Sequence, residues 1–244
     1  MRTILITGCS SGFGLETARH FLAQGWTVIA TMRTPKPDLL PTSDRLTILP
    51  LDVTDPDSIA AAVAAAGEID VLVNNAGIGW LNAVEGTPMP IVRDIFETNT
   101  FGTIAMIQAV LPQFRARRAG VIINVTSSVT LKTYDLLSVY TASKAAVNAL
   151  TEVMALELAP FGIRSHVVLP GQAPGTAFGA NARERIMQAG GFPEPYTEMV
   201  QGVFARMSAG TDEDKTQAED VVAAIWRVAT DPTASIRQIG RAHV

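Results

Sequence analysis

The feature that most constrains this chain is the alternation of short, almost wholly apolar runs with stretches of helical periodicity. "TILITG" (3–8), "TVIATM" (27–32), "LTILPLDV" (46–53), "IDVLVNNAG" (69–77), "GVIINVTS" (120–127) and "IRSHVVLPG" (163–171) have strand character. Between them, "LETARHFLAQGW" (15–26), "DPDSIAAAVAAAG" (55–67), a long stretch from about Pro90 to Arg118, and "SVYTASKAAVNAL" (138–150) read as helices. A strand that is apolar on both sides has to be covered on both faces, and helices between successive strands make those strands parallel. The pattern predicts a doubly wound α/β fold with one parallel sheet of seven strands, the last near residues 236–240.

No linker, repeat or low-complexity run interrupts the alternation, so residues 1–244 read as a single domain. After Gly171 the pattern breaks down. Residues 172–215 carry glycines, prolines and scattered aromatics, and they are expected to form a long irregular segment where a substrate lid would sit. The helix "AEDVVAAIWRVA" (218–229) then leads to the final strand.

A composition of 48% hydrophobic and 17% charged residues fits a globular chain, and a net charge of −4 gives no reason to expect nucleic acid as a partner. The lone cysteine, Cys9, excludes an internal disulfide and suits a reducing compartment, where it is expected to be a small buried filler. No run reaches the roughly 18 apolar residues of a membrane span, and the N-terminal apolar run is too short for a signal peptide, so a soluble cytoplasmic protein is expected. His20, His166 and His243 are far apart with no ligand pattern around them, and no metal is expected.

"TGCSSGFG" (7–14) joins the first strand to the first helix. Glycines there let the backbone turn sharply and approach a ligand, and the amides of the helix N-terminus then face a phosphate; glycines also serve plain turns. The end of the second strand bears on which nucleotide is held. A carboxylate there suits the ribose hydroxyls of NAD, whereas this chain has Met32 followed by Arg33, with Lys36 close by. Arginine pairs with a 2′-phosphate, so NADP(H) is favoured over NAD(H).

Together the motifs "TGCSSGFG", "LDV" (51–53), "NNAG" (74–77), Asn99 in "FETNTFG", "NVTSS" (124–128), "YTASK" (140–144) and "LPG" (169–171) resemble the short-chain dehydrogenase/reductase family in order and rough spacing, over nearly the whole chain. The grip on the cofactor looks most like the NADP-preferring branch that includes 17β-hydroxysteroid and retinol dehydrogenases. The resemblance implies a Rossmann fold and an oxidoreductase that interconverts a carbonyl and an alcohol. It implies a catalytic group of Ser127, Tyr140, Lys144 and Asn99. Ser127 is preferred to Ser128 because it stands thirteen residues before Tyr140. It further implies cofactor contacts from Gly8, Ser10, Ser11, Gly12, Phe13, Gly14, Arg33, Asp52, Val53, Asn75, Ala76, Gly77, Tyr140, Lys144, Pro170, Gly171 and Thr176. Thr176 falls one place later than the family's threonine.

A phenol titrating near 10 is poorly matched to proton transfer at neutral pH. Lys144, one helical turn from Tyr140, is expected to lower it. Ser127 would polarise the carbonyl, and the backbone of Asn99 would hold a water relaying protons to Lys144. The substrate pocket is expected to be apolar and aromatic, lined by Trp80, Leu81, Leu131, Tyr134, Phe178, Met187, Phe192, Tyr196 and Met199, which favours a hydrophobic ketone, aldehyde or alcohol. The sequence ends at "GRAHV", directly after the last strand, where steroid-binding relatives continue into a C-terminal extension, so steroid specificity is not expected. The family also implies that the helices near 91–117 and 140–160 pack against a second subunit, giving a homodimer or homotetramer. A non-catalytic NADP-binding regulator on the same fold is the alternative reading, and an S-adenosylmethionine methyltransferase a third.

Overall fold

A computed structural model describes residues 2–209 and 215–240; the part of the lid at 210–214, His243 and the chain end after Gly240 lie outside the described residues. Seven strands, β1 (Thr3–Ile6), β2 (Thr27–Met32), β3 (Leu46–Pro50), β4 (Val71–Asn74), β5 (Gly120–Val125), β6 (Ile163–Pro170) and β7 (Arg237–Gly240), form one parallel sheet in the order β3-β2-β1-β4-β5-β6-β7. The order reverses between β1 and β4, which opens a crevice at their C-terminal ends.

The central strands β1, β4 and β5 are almost wholly apolar because each feeds two cores. Ile4, Ile6, Val71, Val73, Val121 and Ile123 face a core shared with α1 (Gly12–Ala23) and α8 (Ala218–Thr230), where Phe21, Trp26 and Ile225 are buried. Leu5, Leu72 and Ile122, the residues between them, face the other core. There they meet Met106, Val110 and Phe114 of α4 (Gly102–Arg117) and Met154 of α5 (Ser138–Leu158), with α2 (Pro56–Ala66) beside them. Burying each such side chain contributes about 1.5–3 kcal/mol. A charge in the middle of β1, β4 or β5 would reach a dry layer whichever way it pointed.

Two expectations are corrected. The single long helix between Pro90 and Arg118 is instead α3 (Met89–Phe96), a widened π-helical turn Glu97–Phe101, and α4. The wide turn exists because Asn99 is fastened sideways. Its side chain bonds the backbone of Ile78 in both directions, at 2.8 and 2.9 Å, and donates to Ser143 Oγ at 3.1 Å. The segment after Gly171, expected to be irregular, carries α6 (Ala177–Gln188) and α7 (Thr197–Ala209). Gly190 and Gly191, both at positive φ, turn the chain between them. Among the described residues no helix is long and apolar enough to cross a membrane.

Candidate active site

At the crevice, the loops that follow β1 and β4 are laced together. Thr7 Oγ1 accepts from the backbone N–H of Asn75 at 3.0 Å and of Ala76 at 2.9 Å. Asn75 Nδ2 donates back to the carbonyls of Thr7 at 2.9 Å and Gly8 at 3.2 Å. The loops are so close that a Cβ on Gly8, whose φ is +76°, would stand 2.9 Å from Ala76 Cα. One on Gly14 would stand 2.4 Å from Gly8 O. The glycines are therefore required by the close approach of backbone, and the first amides of α1 are left facing the crevice. Ser10 and Ser11 are exposed, and the Ser11 side chain makes no capping bond although it occupies the N-cap. Phe13 is half-buried against the core. Cys9 is buried, and burial pushes its thiol up to about 12, which leaves it inert.

Met32, at the end of β2, is 2% exposed and packs in the core, so the first side chain at the surface beyond that strand is Arg33. Asp52 follows β3. Its carboxylate accepts from Thr54 N at 3.0 Å and Thr54 Oγ1 at 2.7 Å. The Thr54 N–H above all, with the Thr54 hydroxyl and the Arg33 charge, holds it below the usual carboxylate range. Val53 is buried against Gly102 at the start of α4, where a Cβ would come 2.8 Å from the Val53 carbonyl oxygen.

On α5, Tyr140 and Lys144 stand one turn apart, 7% and 5% exposed. Lys144 Nζ donates to Val125 O at 3.1 Å and reaches the "NNAG" loop so closely that a Cβ on Gly77 would lie 3.2 Å from it and 3.1 Å from Asn99 Oδ1. Ser143 Oγ donates to Tyr140 O at 2.7 Å while it accepts from Asn99. Asn99 is thus a positioning residue between the "NNAG" loop and α5, and the backbone carbonyl expected to hold a relay water accepts the Thr103 hydroxyl at 3.0 Å. Ser127 is buried just after β5, its Oγ accepting from the Val129 N–H at 3.4 Å, and it is the side chain that opposes the upward shift of the Tyr140 phenol.

The expected lowering of Tyr140 by Lys144 is not what the structure shows. Burial pushes the phenol up to about 12, opposed by the bond from Ser127. Burial also pulls the Lys144 ammonium down to about 8. Both groups are withdrawn from water, and desolvation outweighs their proximity.

The profile of the family described as short chain dehydrogenase matches residues 2–186. The chain belongs to the short-chain dehydrogenase family. This short-chain dehydrogenase is 38% identical over 200 residues to retinol dehydrogenase 8 of Bos taurus, covering 77% of this chain and 64% of that protein. It is 35% identical over 232 residues to estradiol 17-beta-dehydrogenase 1 of Rattus norvegicus, covering 89% of this chain and 66% of that protein. Both matches thus span slightly less than two thirds of the relative's own length. Among solved structures, serine dehydrogenase in its closed form complexed with NADP+ superposes with a TM-score of 0.82 at 28% identity, over 97% of this chain and 93% of that one.

In this chain the residues expected on the substrate side scatter. Trp80 is a correction. Its indole is buried with Ile95 and Ile186, and Nε1 donates to Thr87 Oγ1 at 2.9 Å, so it is core rather than pocket lining. Phe192 and Tyr196 pack half-buried around Ala83, Leu136 and Val203, with Leu81 alongside. Tyr134, Met187 and Met199 are exposed, Tyr134 beside the Lys132 ammonium, and Leu131 is half-buried after Ser127. Phe178 alone of this set has its ring against Tyr140, at 5.8 Å between centroids. Pro170 and Gly171 end β6, and the Gly171 N–H donates to Thr216 Oγ1 at 2.8 Å. Thr176 is brought beside the glycine loop, its Cβ 3.3 Å from where a Cβ on Gly12 would be.

Sequence reasoning missed Thr7, Ser143 and Gly79. The first two sit inside quoted motifs, and a small polar residue beside a motif glycine or lysine is the signal that marks them. The site fits a dinucleotide: close-packed glycines where a Cβ would fill the cradle, an uncapped helix N-terminus, and Arg33 at the surface. Among the described residues no three His, Cys, Asp or Glu side chains gather as metal ligands.

Proposed function

We propose that the chain is an NADP(H)-dependent oxidoreductase that interconverts a hydrophobic ketone or aldehyde and the corresponding alcohol. The observation that carries this reading is the convergence of Tyr140, Ser127 and Lys144 on the crevice whose floor is the glycine loop. The amides of α1 and Ser11 would hold the pyrophosphate side, Arg33 the 2′-phosphate, and Asp52 and Val53 the adenine, while Lys144 would hold the nicotinamide ribose. When bound, the nicotinamide supplies or accepts the hydride. Ser127 orients the carbonyl oxygen and stabilises the charge that develops on it. Tyr140 delivers the proton. A phenol held near 12 is protonated at neutral pH and so carries the proton that the carbonyl oxygen takes. The serine dehydrogenase with NADP+ bound supports the choice of cofactor, and Arg33 supports the phosphate preference.

Mixing the protein with NADPH and a panel of aryl and aliphatic ketones, and following loss of cofactor absorbance, tests the reading. Tight NADPH binding without turnover on any ketone would favour a non-catalytic regulator instead. Arg33→Ala should weaken NADPH binding about tenfold and leave NADH unchanged, as the two dissociation constants would show.

The same reading includes a cytoplasmic protein that associates with itself. The outer face of α5 presents Ala142, Ala145, Ala149, Val153 and Leu156 to solvent, a stripe small and apolar enough for close contact with a second copy.

A further inference from the structure

Phe178, in the first turn of α6, lies over the phenol that the mechanism uses. Its ring is tilted 57° against that of Tyr140. Its other side rests on bare backbone: a Cβ on Gly79 would stand 2.7 Å from Phe178 Cε1, 2.9 Å from Cζ and 3.2 Å from Ala182 Cβ. Only glycine at 79 lets the ring settle there. Phe178 is 39% exposed, so part of its ring remains in water while the rest shields Tyr140.

The helix that carries this ring is lightly held. Ile186 is the one buried side chain of α6, and an exposed pair, Arg185 with Asp94 at 3.4 Å, adds little. No side chain caps its N-terminus. The opening between its base and the glycine loop, lined by Gly12, Glu16, Ala173 and Thr176, has a volume of about 250 Å³, below the range of sites that bury a drug-sized ligand. Displacing α6 therefore costs little, and binding of anything large beside the glycine loop requires it.

A carbonyl oxygen that takes a proton from Tyr140 has to come within about 3 Å of the phenol oxygen. A group on its carbon that turns toward the Tyr140 ring and Gly79 would compete with the Phe178 ring for that space. We infer that Phe178 is a built-in plug that occupies the seat of the substrate's own flat apolar group, between Gly79 and Tyr140, and that substrate enters by displacing it. The inference rests on Tyr140 being the acid/base. The seat has a floor without side chains and an aromatic wall, so it admits a ring edge-on and excludes a branched, tetrahedral group. It selects ketones and aldehydes whose carbonyl carbon bears an aryl or other flat ring.

The test has two arms. In the first, the tyrosines are titrated by ultraviolet difference absorption in the wild type and Phe178→Ala, and the titration of a Tyr140→Phe counterpart of each is subtracted to cancel the signals of Tyr134 and Tyr196. Removal of the plug should bring the Tyr140 transition down from about 12 toward the ordinary phenol range. An unchanged transition overturns the inference without any reference to activity. In the second arm, acetophenone and pinacolone, two methyl ketones that differ in a flat ring against a tert-butyl group, are reduced with saturating NADPH. The wild type should favour acetophenone in kcat/KM by about tenfold or more. Phe178→Ala should lower the acetophenone KM several-fold with kcat little changed, Phe178→Leu should do so less, and Gly79→Ala should raise it. Equal efficiency on the two ketones, or a higher acetophenone KM in Phe178→Ala, overturns the seat. Turnover that persists in Tyr140→Phe, or its absence on every ketone, is instead a failure of the oxidoreductase reading, and the titration arm then decides the plug alone.

Discussion

Lys144 is an ammonium with little water around it and the carbonyl of Val125 at hydrogen-bond distance. Its pKa falls to about 8 from 10.5, because burial makes the folded state disfavour the charged form. The sign follows from that direction: the penalty is fully present below pH 8, shrinks as pH rises toward 10.5, and is gone above it. Lys144→Met should therefore stabilise the fold by about 2–4 kcal/mol at neutral pH, abolish turnover, and show no stability gain above the lysine's unfolded range. Thermal melts of both proteins across pH check this. A destabilised Met variant at neutral pH would mean that the Val125 bond outweighs desolvation. The spacing of Tyr140 and Lys144 was legible in the sequence, because residues four apart on a helix share a face. Their acidities were not. Those depend on burial, to which parts distant in the chain contribute, Phe178 among them with its ring against Tyr140 from 38 positions away.

At the scale of elements, the crevice is built by two loops that hold each other. Thr7 and Asn75 exchange four hydrogen bonds with them, and the glycines between leave no room for adjustment. Thr7→Val keeps the shape and removes the acceptor, leaving the amides of Asn75 and Ala76 unpaired. It should cost about 1–3 kcal/mol in denaturant unfolding and weaken NADPH binding in titration calorimetry. Stability and binding both within error of wild type would mean that the loops do not depend on this side chain. The inner strands were readable because a strand apolar on both faces has few alternatives to a covered parallel sheet, while β7, Arg237–Gly240, was legible only from its place after α8. The wide turn at Glu97–Phe101 was not, since its cause is the tertiary grip of Asn99 on Ile78 and Ser143 rather than any local preference. The lid helices escaped for a related reason. α6 buries a single side chain, Ile186, and shows no apolar stripe, whereas α7 does carry one in Met199, Val200, Val203, Phe204 and Met207 but buries only Val203 of it, among scattered glycines and prolines.

Across the whole molecule, the sheet places every reactive group at one end. The C-terminal ends of β1, β4, β5 and β6 lead directly into the glycine loop, the "NNAG" loop, Ser127 and the base of the lid. Trp80 shows where reading by position fails: it follows "NNAG", where a pocket wall was expected, yet its indole N–H finds Thr87 and the ring stays in the core. The helix that carries Tyr140 and Lys144 turns its opposite side outward, with Leu156 at 78% exposure. If that side meets a second copy, Leu156→Lys should shift the protein to monomers in analytical ultracentrifugation, without loss of helix content. A mass unchanged by the substitution would remove α5 from the interface.

The most direct measurement compares Tyr140→Phe with the wild type for NADPH binding and for reduction of a ketone under saturating NADPH. The phenol oxygen is the only atom removed. The account predicts an unchanged NADPH dissociation constant and a turnover lower by about a hundredfold to ten-thousandfold, the contribution of a positioned proton donor. A Phe variant that reduces the same ketone at a rate close to that of the wild type would contradict it.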